Sequence, residues 1–280
     1  MKIFVTGADG FIGKNFVNII NSKKDKDISL FCLTRKKKTK KTKKITWVKG
    51  SLNSNLNKYL IDTDIIIHFA SIGVKKKKID YKKIYETNVT HSYKFFKSVL
   101  NLKINKWIVI GSSSEYGAAA KKFKRLSAST KPQPLSPYAK TKYLFNKKIS
   151  LLASKNKISL KILRLFPVYG KGENSYRLLP QLYKSIKEKK TFILNNSEER
   201  RDYIDVKIVA FKILKSLKFK KNEMNKVTIK HIASGKCVKN KDFVLKFWRK
   251  LKATNKLIFK KKLNNHLDNI HHCSDKKSLV

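Results

Sequence analysis

Residues 2–20 constrain the fold more than any other part of this chain. Lys2-Ile3-Phe4-Val5 is a short apolar run led by β-formers, and Thr6-Gly7-Ala8-Asp9-Gly10-Phe11-Ile12-Gly13 follows at once. The amphipathic stretch Lys14-Asn15-Phe16-Val17-Asn18-Ile19-Ile20 comes next. A buried strand, a glycine turn and a helix bring backbone N–H groups and the positive end of a helix to one point, where a dinucleotide pyrophosphate can be held. Gly7 permits the tight turn, Gly10 lets phosphate approach the backbone, and Gly13 lets the helix lie close on the strand. The spacing is G-x-x-G-x-x-G rather than G-x-G-x-x-G, and an ordinary strand-to-helix turn would carry the same three glycines.

A second pattern lies far along the chain. Tyr138-Ala139-Lys140-Thr141-Lys142 follows the turn-forming segment Pro132-Gln133-Pro134-Leu135-Ser136-Pro137. Proline sits readily in a first helical turn, so a helix is expected from about 137. Tyr138 and Lys142 then stack on one face as i and i+4. A phenol with an ordinary pKa of about 10 is a poor acid or base at neutral pH, and a neighbouring ammonium is expected to draw it down. Lysine is so common here that the same spacing recurs by chance at Tyr143 and Lys147. A third pattern is the apolar run Lys106-Trp107-Ile108-Val109-Ile110, which leads into Gly111-Ser112-Ser113-Ser114-Glu115-Tyr116-Gly117. Hydroxyls at the C-terminal end of a parallel strand face the crevice where such sheets bind ligands.

Apolar runs alternate with helical patterns along the chain. Strands are expected at 2–5, 28–33, 45–48, 64–69, 106–110 and 160–165, and helices near 12–22, 80–101, 137–155 and 176–188. This alternation implies an α/β fold with a doubly wound parallel sheet and right-handed crossovers. From about 170 the pattern breaks into short elements. The 280 residues, 41% of them hydrophobic, suffice for a real core. No apolar run approaches membrane-spanning length, and the N-terminal run is too short for a signal peptide, so the expected compartment is cytoplasmic, with no membrane partner. Cys32, Cys237 and Cys273 are well separated and odd in number, which suggests neither a disulfide frame nor a metal site. His271-His272-Cys273 lacks a fourth ligand at metal spacing and reads as a polar loop.

The formal net charge is +49, with lysine runs at 36–44, 75–78 and 260–262. Such a field attracts polyanions non-specifically. The runs lack interleaved aromatics and contain few arginines, so base-reading is not expected. Abundant lysine, asparagine and isoleucine point instead to a compositional bias, with the lysines on solvated faces.

The glycine turn, the seryl loop and Tyr138/Lys142 occur in the order and at the distances of one site. Here the chain resembles the extended short-chain dehydrogenase/reductase family, in its NAD-dependent, nucleotide-sugar epimerase/dehydratase/reductase branch. Further matches are His68-Phe69-Ala70-Ser71, Asn88-Val89, Arg164-Leu165-Phe166-Pro167-Val168-Tyr169-Gly170, Arg177–Leu182 and Arg201-Asp202-Tyr203-Ile204-Asp205-Val206. The resemblance implies a Rossmann-type domain over 1–170 and a smaller, interleaved substrate-binding lobe over 171–280. That lobe is expected to be C-terminally short, since relatives continue past Val280. It also implies a homodimer. The cofactor would touch Gly7, Gly10, Phe11, Ile12, Gly13, Thr34, Arg35, Ser51, Leu52, Phe69, Ala70, Ser71, Asn88, Tyr138, Lys142, Phe166 and Val168. Where NAD-binding proteins usually carry an acid after the second strand, this chain has Thr34-Arg35, which suits a 2′-phosphate and favours NADP over NAD. At Gly50-Ser51-Leu52, relatives carry an aspartate that meets the adenine, and Ser51 can still hydrogen-bond there.

The mechanism implied is hydride exchange at a sugar carbon, most often C4. Tyr138 handles the proton, and Lys142 lowers the tyrosine pKa. The assisting hydroxyl is Ser113 when counted from the strand, or Ser112 when counted back from Tyr116-Gly117. Ser113, Ser114, Glu115, Asn174, Arg177 and Arg201 would meet the nucleotide sugar, with Arg201 on its diphosphate. Glu115 is either a dehydration acid or structural. Asparagine is replaced by Pro167 where relatives often touch the sugar nucleotide. The sharpest expectation is reduction of an NDP-4-keto-6-deoxyhexose. A 4-epimerase or 4,6-dehydratase, or a non-catalytic dinucleotide- or RNA-binding protein, stands as the alternative.

Overall fold

A computed structural model of the chain describes residues 1–22, 27–36, 42–73, 80–260 and 272–280. The lysine runs of 37–41, 75–78 and 261–262, and His271, lie outside the described residues. The first six strands are β1 (Lys2–Thr6), β2 (Ser29–Thr34), β3 (Ile45–Lys49), β4 (Ile65–His68), β5 (Lys106–Ser112) and β6 (Ser159–Leu165). Four short strands follow: β7 (Val168–Tyr169), β8 (Phe192–Leu194), β9 (Arg200–Arg201) and β10 (Ile204–Asp205). The last are β11 (Val227–Ile232), β12 (Val238–Lys239) and β13 (Leu257–Phe259). Seven of them form one parallel sheet in the order β3-β2-β1-β4-β5-β6-β11. Ile65-Ile66-Ile67 and Trp107-Ile108-Val109 are buried throughout, as central parallel strands covered on both faces must be. Strand order reverses between β1 and β4, so their C-terminal ends open the crevice where such sheets take ligands. Thr6 and His68 are register partners there.

Helix α1 (Phe11–Ser22) covers one face of the sheet. Short α2 (Asn57–Leu60) follows β3. The run expected over 80–101 is α3 (Tyr81–Tyr85), a π-helical segment (Glu86–His91) and α4 (Ser92–Ser98). Short α5 (Ala119–Lys122) leads to α6 (Pro137–Lys155), which packs with α4 on the opposite face through Phe95, Phe96, Phe145, Ile149 and Ala153. The later helices are α7 (Leu178–Lys187), α8 (Val206–Lys215) and α9 (Asn240–Lys250).

Residues beyond 170 divide between two places. Helix α8 buries Val206, Val209, Ala210 and Ile213 in the same cluster as Phe16, Val17 and Ile20 of α1, and β11 extends the main sheet. Elements α7, β8 and α9 build a separate cluster of Leu179, Leu182, Phe192, Leu194, Phe243 and Val244. Strand β11 and helices α8 and α9 were not among the expected elements. Strand β11 lies at the sheet edge and is only half-buried over Val227–Lys230, so its sequence shows no continuous apolar run. Lys161 inside β6 is accommodated because its ammonium donates to the Ser216 and Lys218 carbonyls and meets Glu223 at 2.9 Å.

The cysteines correct one expectation, because Cys237 and Cys273 form a disulfide. Residues 36 apart in sequence are brought together by the C-terminal segment, which crosses back over the chain. Leu126 N–H donates to the Cys273 carbonyl at 2.7 Å, and His231 N–H to that of Ser278 at 2.7 Å. Only Cys32 is a free thiol, and it is buried. Among the described residues no helix is long and apolar enough to cross a membrane, and no group of His, Cys, Asp and Glu could hold a metal.

Two buried histidines set an acid limit. Burial lowers His68 from 6.5 to about 3, with Lys142 adding to the effect. Burial also lowers His231 from 6.5 to about 4, helped by Arg164 and opposed by Asp275. The His231 ring is held by the Tyr116 hydroxyl at 2.5 Å and the Ser274 hydroxyl at 2.8 Å. Below pH ~6.5 the unfolded chain takes up protons that these folded rings refuse, so stability present above that pH is lost as pH falls toward 4. Thermal melts between about pH 7 and 4.5 should therefore show a falling midpoint, with a shallower fall in His231→Gln. Identical slopes would remove His231 from this explanation.

Candidate active site

The glycine turn is as tight as its sequence requires. Gly7 has φ +70°, and a Cβ there would stand 2.5 Å from the Ala70 nitrogen. A Cβ on Gly13 would fall on the Gly7 carbonyl oxygen, so no side chain separates α1 from the end of β1. Gly10 N–H donates to the Gly7 carbonyl at 3.0 Å. Phe11 and Ile12 open α1, whose first turn carries no acid. A first turn free of acids leaves its N–H groups and dipole available to a pyrophosphate. The turn therefore fits the dinucleotide that the sequence pattern suggests.

At the end of β2, Thr34 is buried, while Arg35 and Lys36 are exposed. The Thr34 hydroxyl is not free for a ribose, because it donates to the Asp9 carboxylate and accepts from Lys36 N–H at 3.1 Å. Asp9 is a residue that sequence reasoning missed; its place before Gly10, with no acid after β2, was the available signal. Ser51 is tied into a local turn, donating its N–H to Ser54 Oγ at 2.9 Å and accepting from Asn53 N–H at 3.3 Å. Leu52 packs against the second core cluster.

The loop after β4 carries Phe69, Ala70 and Ser71 into the crevice mouth, with Phe69 packed on Phe16. Asn88, in the π-helical segment, fastens this loop to the catalytic-candidate helix. Its side chain accepts from Ile72 N–H at 2.8 Å and donates to the Ile72 carbonyl at 2.9 Å and to Thr141 Oγ1 at 3.1 Å. His68 bonds Thr6 Oγ1 at 2.8 Å and Ser92 Oγ at 3.1 Å. Both residues are locked into the frame of the site.

Ser136 caps α6 by accepting from Ala139 N–H at 3.2 Å, and Pro137 follows in the first turn. Tyr138 and Lys142 then point the same way. Burial pushes the Tyr138 phenol up to about 12, against hydrogen bonds with Ser71 and Ser112 and the charge of Arg177, while Glu115 adds to the rise. Burial lowers the Lys142 ammonium to about 8, with Glu115 opposing. The phenol therefore lies above its ordinary range rather than below it, because enclosure of the phenolate costs more than the neighbouring groups return. The two open counts for the seryl hydroxyl also separate. Ser112 reaches Tyr138, whereas Ser113 is buried in the turn that begins there. Ser71 is a second hydroxyl that the sequence reading had placed only with the cofactor.

Glu115 has no exposed surface. Its Oε1 accepts from Ser112 N–H at 2.7 Å and from Asn146 Nδ2 at 2.9 Å, and its Oε2 accepts from Arg164 Nε at 3.2 Å. Arg164 also donates to the Tyr116 hydroxyl at 2.9 Å. Ser114 Oγ lies 2.8 Å from Ser112 Oγ. Phe166 is packed in a closed cluster with Tyr116 and against His231, and Val168 is buried in β7, where it pairs with Ile204 of β10.

On the opposite wall, Arg177 begins α7 and pairs with Glu173 at 3.1 Å, while Arg201 pairs with Glu199 at 2.8 Å. Asn174 accepts from Arg177 N–H through its carbonyl and donates to Tyr176 at 3.3 Å. The charges of both guanidinium groups reach the half-buried Tyr203, and that of Arg177 also reaches Tyr138.

Comparison with known proteins agrees with this geometry. The model of the NAD dependent epimerase/dehydratase family matches residues 3–229, and the chain belongs to that family. It is 28% identical over 207 residues to GDP-6-deoxy-D-talose 4-dehydrogenase of Aggregatibacter actinomycetemcomitans, covering 74% of this chain and 66% of that protein. It is 29% identical over 218 residues to the uncharacterized UDP-glucose epimerase YtcB of Bacillus subtilis (strain 168), covering 72% and 68%. The chain thus spans about two thirds of the length of these relatives. Among solved structures, UDP-glucuronic acid 4-epimerase from Bacillus cereus, in complex with UDP-glucuronic acid and NAD, superposes with a TM-score of 0.85 at 22% identity, covering 99% and 91%. The dTDP-glucose 4,6-dehydratase DesIV from Streptomyces venezuelae, with NAD and TYD bound, gives 0.81 at 19%, covering 98% and 88%. At these identities the likeness is one of fold.

Two substitutions test the frame. Gly13→Ala should lower stability by about 1–3 kcal/mol through overpacking against β1. Glu115→Ala should cost about 3–5 kcal/mol, because it leaves Arg164 buried without its carboxylate. Denaturant melts measure both, and a loss below about 1 kcal/mol for Glu115→Ala would contradict the ion-pair reading.

Proposed function

We propose that the chain is a dinucleotide-dependent enzyme that reduces the C4 carbonyl of an NDP-4-keto-6-deoxyhexose. The observation that carries this reading is Tyr138. Its phenol is held protonated well above neutral pH, hydrogen-bonds with the Ser71 and Ser112 hydroxyls, and feels the charge of Arg177. A protonated phenol is the form needed to give a proton to an oxygen that becomes an alkoxide.

When bound, the cofactor supplies a hydride to the sugar carbon. Tyr138 donates its proton to the sugar oxygen, and Ser112 orients that oxygen by hydrogen bonding. Ser71 shares the phenol and would assist its reprotonation. Lys142 contributes positive charge below about pH 8, where its ammonium persists. Arg177 and Arg201 hold the diphosphate, for which forked guanidinium groups are suited, and Asn174 and Ser114 flank the sugar. The elements α7, β8 and α9 form the substrate lobe over this wall. For the cofactor, Arg35 and Lys36 favour NADP, and Asp9 opposes it.

A 4-epimerase remains the second reading, supported by the epimerase relative and by the same Tyr138 geometry. The dehydratase reading is weakened by Glu115, whose oxygens are committed to Ser112, Asn146 and Arg164. Oxidation of NADH and NADPH should be followed with a panel of nucleotide 4-keto-6-deoxysugars, beside Tyr138→Phe. Stoichiometric oxidation that falls by at least about 10²-fold in the variant supports the reductase. Interconversion of C4 epimers with no net oxidation supports the epimerase instead.

A further inference from the structure

The strand that should end in an acid ends at Thr34, yet an acid stands there. Asp9 lies in the glycine turn directly before Gly10, and its carboxylate accepts the Thr34 hydroxyl proton across 25 residues of sequence. Thr34 is in turn fixed by Lys36 N–H and by Gly50 N–H, which donates to its carbonyl at 2.9 Å. The carboxylate is therefore held between the pyrophosphate turn and the end of β2. Its charge reaches Cys32, whose thiol is pushed up to about 12 by burial first and by Asp9 second. Beside it opens a cavity of about 190 Å³, lined by Asp9, Lys14, Asn18, Lys36 and Trp47 among others.

In dinucleotide-binding sheets, the end of the second strand is where an acid meets the ribose 2′-hydroxyl, or where a basic residue meets a 2′-phosphate. We propose that Asp9 supplies this acid from the turn rather than from the strand, accepting the adenosine ribose hydroxyls and repelling a 2′-phosphate, so that the site selects NAD(H). The inference rests on the dinucleotide-dependent reading given above and reverses the preference that Thr34-Arg35 suggests by themselves. Three cations, Lys14, Arg35 and Lys36, pull the other way. All three are exposed, so their attraction for a phosphate is screened by water and salt. Asp9 is itself exposed but anchored by Thr34, which keeps it at contact range, where an unmatched like charge discriminates most strongly.

Calorimetric titration with NAD⁺ and NADP⁺ tests this without turnover, using the wild-type chain and Asp9→Asn, with the thermal midpoint of each measured in the absence of nucleotide. Asparagine preserves size and the bond from Thr34 while removing the charge. The expected result is NAD⁺ binding at least about tenfold tighter than NADP⁺ in the wild type, and a shift of that ratio by about tenfold or more toward NADP⁺ in Asp9→Asn. An unchanged thermal midpoint in nucleotide-free Asp9→Asn shows that a change in its binding ratio is not general misfolding. A wild-type preference for NADP⁺, or a ratio unmoved by Asp9→Asn, would overturn the assignment while leaving the dinucleotide reading intact. Failure of the wild type to bind either nucleotide would overturn both.

Discussion

One buried carboxylate organises the candidate site. Glu115 accepts from the backbone of Ser112, from Asn146 on α6 and from Arg164 on β6. It thereby fixes the seryl turn after β5 relative to the helix that carries Tyr138 and Lys142. Removing it from water is tolerable because both oxygens find donors, three in all and one of them cationic. Arg164 passes the constraint on through Tyr116 to His231 and Ser274. The C-terminal segment is thus coupled to the turn that presents Ser112. The same field explains why Lys142 keeps some of its charge although burial works against it.

The sheet and the first half of the site were legible in the sequence because central parallel strands must be apolar on both faces. Each expected strand from β1 to β6 is present within about two residues, and α6 spans the expected range. The cofactor turn was legible because close approach leaves no room for any side chain at Gly7 and Gly13. Strand β11 was hidden because an edge strand needs no continuous apolar run, and Thr228, Lys230 and His231 interrupt this one. The Asp9–Thr34 contact and the disulfide were hidden because both depend on tertiary placement of residues far apart in sequence. That Ser112 rather than Ser113 meets the Tyr138 phenol depends on turn geometry, which counting along the chain does not supply.

The high charge acts on this frame from outside. With 67 basic and 18 acidic residues, one-to-one pairing is impossible, and self-repulsion acts against the compact state at low ionic strength. Several of the acids position cations. Glu198 meets both Lys239 and Lys241, and Glu173 and Glu199 each hold an arginine of the proposed diphosphate wall. An anionic substrate would compete with those two carboxylates for the arginines, so substrate entry and rearrangement of Arg177 and Arg201 belong together.

The most direct measurement is a crystal structure of the chain with a dinucleotide and a nucleotide-diphosphate sugar bound together. The account predicts the pyrophosphate on the Gly7–Gly13 turn, the sugar diphosphate between Arg177 and Arg201, and the Tyr138 and Ser112 oxygens within hydrogen-bonding distance of the sugar O4. A dinucleotide bound away from that turn, or a sugar lying beyond the reach of Tyr138, would contradict it.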